Sequence, residues 1–269
     1  MRRSLTWILT LLLLAACKTN PYTGRRQTML ISEDREIELG KEAWAEMTGP
    51  GSKVKLDTRP AWNDPLQRVG RAIAVAADKK EYDWEFKLID APKTANAWAL
   101  PGGKIAFYTG IYPILEDEDG MAIVMGHEVS HALLRHGGER ISQSMITAGI
   151  LAGAAISTRD NKNRGWILAG LGVGAGLTIK AYGRGHETEA DRFGLMLAAR
   201  AGYNPEAGIK VWQRMAKLSK GGSGPTFLST HPSHDTRIEN MQKWMPEAKA
   251  LYEQSQKKPN KKLPVLPSQ

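Results

Sequence analysis

Two histidines four residues apart constrain this chain more than any other feature. His127 and His131 enclose Glu128 in the sequence His-Glu-Val-Ser-His. Residues spaced in this way lie one above the other on the same helix face, with Cβ atoms about 5–6 Å apart. Both imidazole rings can therefore reach one Zn²⁺ ion through bonds of about 2.0–2.1 Å, while the Glu128 carboxylate lies beside the metal. The pattern predicts a helix that carries two zinc ligands and a general base.

The residues around this pair favour a helix. Four acidic residues, 116–119, place negative charge ahead of the first turn, where the helix dipole favours it. An apolar stretch at 121–125 supplies the buried part of the same helix, and Gly137 with Gly138 predicts its end after His136. The pair is therefore expected on one face of a buried helix.

A third ligand is needed, because a catalytic zinc ion takes three protein ligands and keeps one position open. Glu187 and Asp191 are again four residues apart, at the start of a second predicted helix. This spacing suits a ligand carboxylate followed by a carboxylate that accepts the outer N–H of a zinc-bound histidine. Glu189 lies about 200° round the helix from Glu187 and is the weaker candidate. The metzincin class is excluded, because Leu134 and Gly137 stand where it needs glycine and histidine.

Beyond the spacing, the chain resembles a known family. It is similar to the gluzincins of the HtpX and CAAX-prenyl-endopeptidase family, in particular to periplasmic lipoprotein members such as LoiP. The similarity runs from Asn-Pro-Tyr-Thr-Gly-Arg-Arg at residues 20–26 to about residue 241. Family members often carry arginine where this chain has His186, so His186 stays open as a competing ligand.

The resemblance implies a metal centre with one Zn²⁺ ion per chain. In that family the corresponding ligands are His127, His131 and Glu187. Glu128 is then the general base, and Asp191 is the carboxylate that orients a zinc-bound histidine.

A second matching segment, residues 96–110, predicts a strand, a Pro-Gly-Gly turn and another strand. In zinc proteases an edge strand of this kind holds an extended substrate through backbone hydrogen bonds, which demand no particular sequence. The predicted substrate-binding residues are Asn96, Ala97, Trp98 and Ala99. The alternative is a hairpin that only packs on the core.

A third matching segment, residues 229–238, contains the sequence Thr-His-Pro. By the resemblance, His231 approaches the zinc ion as a displaceable fourth ligand. Arg237 stabilises the oxyanion of the tetrahedral intermediate, a role that suits a permanently charged guanidinium. A purely structural role stays open, because Pro232 and Asp235 are also ordinary residues at the start of a helix.

The start of the chain predicts export and lipid attachment. A basic start at residues 1–3, an apolar run at 5–14 and Leu-Ala-Ala-Cys at 14–17 resemble a bacterial lipoprotein signal peptide over residues 1–16. The apolar run is shorter than the about 20 residues of a membrane-spanning helix. By this resemblance, Cys17 is the predicted lipid-bearing residue, and Lys18 after it implies the periplasmic side of the bacterial outer membrane. Cys17 is the only cysteine, which excludes an internal disulfide and a cysteine-ligated zinc ion.

Composition indicates one globular catalytic domain, residues 17–257. The chain is 42% hydrophobic and 24% charged, and about 250 residues are ample for a single core. A net charge of +9 without a nucleic-acid-binding signature indicates a solvated surface or contact with anionic lipid, so no nucleic-acid partner is expected. The lysine- and proline-rich residues 258–269 predict a disordered tail.

The predicted fold class is α+β and mostly helical. It is a zincin-like metallopeptidase with a small, antiparallel-edged sheet beside the helix of His127. Residues 145–179 are rich in glycine and alanine and predict a packed pair of helices. An alternative hypothesis is that they form a mobile cover over the cleft or a surface that dips into a membrane.

These observations predict a zinc-dependent endopeptidase, lipid-anchored in the periplasm. The resemblance implies that it hydrolyses misfolded or misassembled envelope proteins in protein quality control. The outer-membrane assembly machinery is a further candidate partner. One alternative is a catalytically quiet chaperone or assembly factor for outer-membrane proteins. Another is a mononuclear iron oxidoreductase, because two histidines and one carboxylate also bind non-haem iron. Glu128 disfavours iron, whose chemistry has no use for a base at that position.

Overall fold

The computed structural model describes residues 17–152, 183–220, 225–231 and 236–266. Over these residues the chain is mostly helical, with two small sheets, which confirms the predicted α+β class. The helices are α1 Glu33–Thr48, α2 Pro60–Ala77, α3 Tyr112–Leu115, α4 Glu118–Leu133, α5 His136–Ala152, α6 Arg184–Arg200, α7 Ala207–Lys220, α8 Thr226–Thr230 and α9 Arg237–Gln254. The strands are β1 Cys17–Thr19, β2 Arg26–Thr28, β3 Glu85–Ile89, β4 Ala97–Leu100 and β5 Lys104–Tyr108.

Helix α4 is the centre of the molecule, and it is buried along its whole length. The Asp117 side chain caps its first turn by accepting the backbone N–H of Gly120 at 3.0 Å. Helix α6 packs on α4 with almost no space between the two backbones. A Cβ atom at Gly126 would lie 2.6 Å from the carbonyl oxygen of Gly194. This close approach, which only glycine permits, brings the first turn of α6 beside the two histidines of α4.

The main sheet has three strands in the order β3-β5-β4 and lies beside α4. Strands β3 and β5 are parallel, whereas β4 pairs with β5 in the antiparallel direction, with Ala97 opposite Phe107. The connecting turn requires Gly102 and Gly103, whose φ angles are +85° and +80°. The predicted hairpin is therefore present, and β4 is an edge strand of this sheet.

Helix α2 begins at Pro60 and contains Pro65. One predicted helix boundary is wrong. Helix α4 ends at Leu133, because the chain turns at Arg135 with a φ of +58°.

Gly137 and Gly138 were predicted to end α4, but they lie inside the next helix, α5. The reason is packing and not termination. A Cβ atom at Gly138 would lie 2.1 Å from a carboxylate oxygen of Glu36. The absent side chain therefore makes room for α1.

The C-terminal segment, residues 258–266, packs against the body, contrary to the predicted disorder. The backbone N–H of Lys258 donates to the Gly202 carbonyl at 2.8 Å, and the Leu263 side chain is buried. Glu118 donates its backbone N–H to the Lys261 carbonyl at 3.0 Å. The segment thus satisfies a backbone group at the start of α4, which a prediction from composition does not consider.

Several predictions fall on residues outside the described ones. The predicted signal peptide, residues 1–16, is one of them, and so is most of the predicted helical pair at 145–179, although α5 extends to Ala152. Among the described helices, none combines the length and apolar character needed to cross a membrane.

Candidate metal centre

Helices α4 and α6 converge on a buried cluster of side chains. His127 and His131 come from α4, Glu187 from the first turn of α6, and His231 follows α8. One potential ligand atom from each of the four lies within 4.8 Å of the others. The Nε2 atoms of His127 and His131 are 3.2 Å apart, and the Glu187 carboxylate oxygens lie 3.4–3.5 Å from them. The structure therefore brings together the three predicted ligands.

The geometry of this cluster fits zinc. Donor atoms at the corners of a tetrahedron with bonds of about 2.0–2.1 Å lie about 3.3–3.4 Å apart, close to the observed spacing. Burial lowers the pKa of His131 well below its usual value, so this ring is neutral. Burial alone would raise the pKa of Glu187, but the charge of His231 and hydrogen bonds from His131 and His231 hold it well below the usual range. A neutral imidazole and an ionised carboxylate are the forms that bind metal.

Glu128 lies beside the cluster but contributes no ligand atom to it. Its Oε1 atom is 3.3 Å from Nε2 of His231, and only 2% of the residue is exposed. Burial raises the pKa of this carboxyl group. The side chain is thus placed as the sequence predicts for a base that does not bind the metal.

His231 occupies the space between Glu128 and the other ligands. Its Nδ1 atom lies 3.1 Å from both His127 Nε2 and Glu187 Oε1, and Nε2 faces Glu128. The ring stacks on Phe227 with centroids 4.4 Å apart. This is the position predicted for a fourth ligand.

Asp191 lies where the sequence predicts, behind His127. Its Oδ1 atom is 2.9 Å from Nδ1 of His127, which leaves Nε2 of the same ring directed toward the cluster. Arg237 donates to Oδ1 of Asp191 at 2.6 Å and to Glu187 at 3.1 Å. Its guanidinium carbon lies 3.4 Å from the ring centroid of Trp212.

These contacts differ from the oxyanion role predicted for Arg237. The guanidinium is 1% exposed and is engaged by the carboxylates behind the ligands. In this arrangement Arg237 holds Asp191 and Glu187 in place, because two buried carboxylates need a positive partner. The sequence could not predict these contacts, because Arg237 is 46 residues from Asp191 and the sequence distance does not indicate where its side chain points.

His136 is a residue of the centre that sequence reasoning missed. Its Nδ1 atom lies 2.9 Å from Nδ1 of His131, and its Nε2 atom lies 3.1 Å from Oε2 of Glu189. Burial lowers the pKa of His136 to about 4, so its ring is neutral at neutral pH. Glu189, the weaker ligand candidate, thus contacts His136 and not the metal cluster itself. His186, the competing candidate, instead contacts Glu139 at 3.1 Å.

The predicted substrate-binding residues lie at the start of β4. Ala97, Trp98 and Ala99 belong to the strand, and Asn96 precedes it. Asn96 is 4% exposed, and its carboxamide oxygen has no hydrogen-bond partner among the described residues. The carbonyl of Ala95 accepts the backbone N–H of Phe227 at 2.8 Å, so α8 contacts the chain just before this strand.

Comparisons with known proteins agree with this geometry. The model of "Peptidase family M48" matches residues 60–245. The chain is 40% identical over 250 residues to the mitochondrial metalloendopeptidase OMA1 of Saccharomyces cerevisiae, covering 87% of this chain and 71% of that protein. It is 33% identical to the OMA1 protein of Schizosaccharomyces pombe, covering 87% and 68%. It is 27% identical to the beta-barrel assembly-enhancing protease of Yersinia pestis, covering 84% and 47%.

The comparisons correct one prediction. A location on the periplasmic side of the bacterial outer membrane is contradicted, because the relatives at 40% and 33% identity are named as mitochondrial proteins. The chain also spans about half the length of the human and bovine relatives, 47% in both cases. With a family model that covers most of the folded part and a zinc-binding cluster that suits it, the chain belongs to peptidase family M48, the metalloendopeptidases.

Proposed function

We propose that this chain is a zinc-dependent endopeptidase that cleaves misfolded or misassembled proteins in protein quality control. The observation that carries the proposal is the convergence of His127, His131 and Glu187 with Glu128 beside them. The quality-control role is supported by the similarity to a beta-barrel assembly-enhancing protease.

Zinc, when bound by these ligands, polarises the scissile carbonyl and acidifies a water molecule. Glu128 takes the proton from the attacking water and later donates it to the leaving amine. Burial raises the pKa of Glu128, and this direction favours a carboxylate that first accepts a proton and then returns it. Asp191 and His136 hold the two histidines with their Nε2 atoms toward the cluster.

His231 must move before a substrate reaches Glu128, because its ring stands between the base and the ligands. We expect it to act as a displaceable fourth ligand. Substitution His231→Ala is then expected to raise cleavage of an unfolded substrate at saturating zinc. A fall to the level of Glu128→Gln would instead assign His231 an essential role in the chemistry.

The edge strand β4 is proposed to hold the substrate backbone. An extended peptide added to a sheet edge gains hydrogen bonds without regard to its side chains, which suits varied, unfolded substrates. The carboxamide oxygen of Asn96, which has no hydrogen-bond partner in the described part of the chain, is a further acceptor for a substrate N–H.

Location and partners follow the relatives as proposals. The similarity to mitochondrial proteins favours a mitochondrial location. Lipid attachment at Cys17, closeness to LoiP, the domain limits and contact with an assembly machinery stay predictions. In the structure Cys17 begins β1, and its sulfur accepts a hydrogen bond from Arg26 at 3.2 Å.

A second candidate is a catalytically quiet chaperone, which the complete burial of Glu128 and His231 favours. A variant of Glu128 distinguishes the two functions, because a peptidase needs this base and a chaperone does not. The iron oxidoreductase is set aside, because the family is one of peptidases.

The test is cleavage of casein by the full chain, with zinc supplied and then chelated. Wild type is expected to cleave, and Glu128→Gln to lose about a hundredfold or more of the rate while keeping its zinc. Glu38→Gln, an exposed change on α1, is the control. Equal cleavage by wild type and Glu128→Gln, or cleavage that persists in chelator, would contradict the proposal.

A further inference from the structure

The geometry points to a positioning relay that runs from Arg25 through Glu189 and His136 to the zinc ligand His131. This inference rests on the proposed metal site, but it concerns how tightly and in what orientation that site holds the ion. It gives a positioning role to the Asn-Pro-Tyr-Thr-Gly-Arg-Arg motif at residues 20–26. That motif has no part in the chemistry proposed above.

The relay has only one consistent arrangement of protons. When Nε2 of His131 faces the metal, Nδ1 of that ring carries the proton and donates it to Nδ1 of His136, 2.9 Å away. His136 then carries its own proton on Nε2, which donates to Glu189 at 3.1 Å. A metal-binding histidine held by such an acceptor is fixed in both tautomer and ring orientation.

Arg25 anchors the outer end of this relay. Its guanidinium donates to both oxygens of Glu189, through Nε at 2.8 Å, and to Glu139 at 2.6 and 3.0 Å. Glu189 is 18% exposed and His136 is fully buried. The Glu189 carboxylate therefore connects a partly solvated ion pair with a buried imidazole ring. The ion pair with Arg25 gives this carboxylate a charged partner on the side away from His136.

The N-terminal segment also holds the turn that presents His136. Side-chain amides of Asn20 and Gln27 donate to the Leu134 carbonyl at 3.1 and 2.8 Å. Leu134 lies in the break between α4 and α5, where Arg135 has a positive φ. The segment that carries Arg25 therefore fixes both the backbone before His136 and the charge behind it.

The relay predicts a graded effect on metal binding. Competition of Zn²⁺ against a chromophoric chelator is expected to show an affinity loss of about 10–100-fold for His136→Leu. The losses for Glu189→Gln and Arg25→Gln should be successively smaller, following distance from His131. His136→Asn, whose side-chain oxygen can still accept from His131, is expected to recover most of the affinity. The visible spectrum of the Co²⁺-loaded protein should shift in His136→Leu and return toward wild type in His136→Asn.

Ser142→Ala is the matched control. Ser142 is fully buried in the same helix α5 and accepts the backbone N–H of Leu30 at 2.8 Å, but it does not contact the relay. Its loss is expected to lower the melting temperature without changing zinc affinity. Zinc affinity of His136→Leu within threefold of wild type, or equal losses in His136→Leu and Ser142→Ala, would overturn the relay. Failure of wild type itself to bind Zn²⁺ would instead overturn the proposed function.

Discussion

The two histidines of α4 are held from behind in different ways. His127 contacts a carboxylate directly, Asp191, which is backed by the buried Arg237. His131 reaches its carboxylate, Glu189, only through His136, and the backing arginine, Arg25, is one-third exposed. The first arrangement is short and dry, whereas the second is longer and partly solvated. Equivalent ligands in one motif thus differ in how strongly the protein fixes them.

The largest expected difference between the two sides is in stability. Asp191→Ala leaves the buried Arg237 with one of its two carboxylate partners, and the free energy of unfolding should fall by about 3–5 kcal/mol. Glu189→Ala should lower it less, by about 1–3 kcal/mol, because Arg25 retains Glu139 and solvent while the buried Nε2–H of His136 loses this acceptor. Urea denaturation of the zinc-free chain measures both. Equal losses would mean that the two sides do not differ in burial as described.

Zinc affinity also distinguishes the two histidines. Asp191→Asn should weaken zinc binding by about 10–100-fold, because the outer nitrogen of His127 loses a charged acceptor. The double variant Asp191→Asn/Glu189→Gln should lose the product of the two single effects, since the two carboxylates bind different histidines. A double variant no weaker than Asp191→Asn alone would show that both belong to one coupled network.

The smallest expected effect is on the pH dependence of stability. Hydrogen bonds from His186 and Arg25 outweigh burial and lower the pKa of Glu139 to about 2. An acid whose folded pKa lies below its unfolded value stabilises the fold above that unfolded value, near 4.5, and the contribution is lost as the pH falls toward 2. Thermal melts of the chelated protein over this range should flatten in Arg25→Gln. A slope equal to that of wild type would remove Arg25 as the cause.

The sequence predicts the direct side of this comparison far better than the relayed side. Two pairs of residues follow helical spacing: His127 with His131, and Glu187 with Asp191. Residues four apart lie on the same helix face, so this spacing predicts their relative positions. His136 lies beyond a break in the helix at Arg135, where spacing no longer indicates direction.

Long-range packing explains the other misses. Arg25 reaches Glu189 across 164 positions of the chain, and no local pattern encodes that contact. The C-terminal Leu263 is buried although its neighbours are lysine and proline, because its backbone pairs with Glu116 ahead of α4. Gly137 and Gly138 carry the usual signal of a helix end, but the second serves close packing against Glu36.

In the proposed metal centre, ligands from two separate helices hold one ion. Zinc content after equilibrium dialysis against Zn²⁺ tests this arrangement. About one zinc per chain is predicted for wild type and Glu128→Gln, and much less than one for Glu187→Ala. A Glu187→Ala chain that still holds one tightly bound zinc would show that Glu187 is not a ligand.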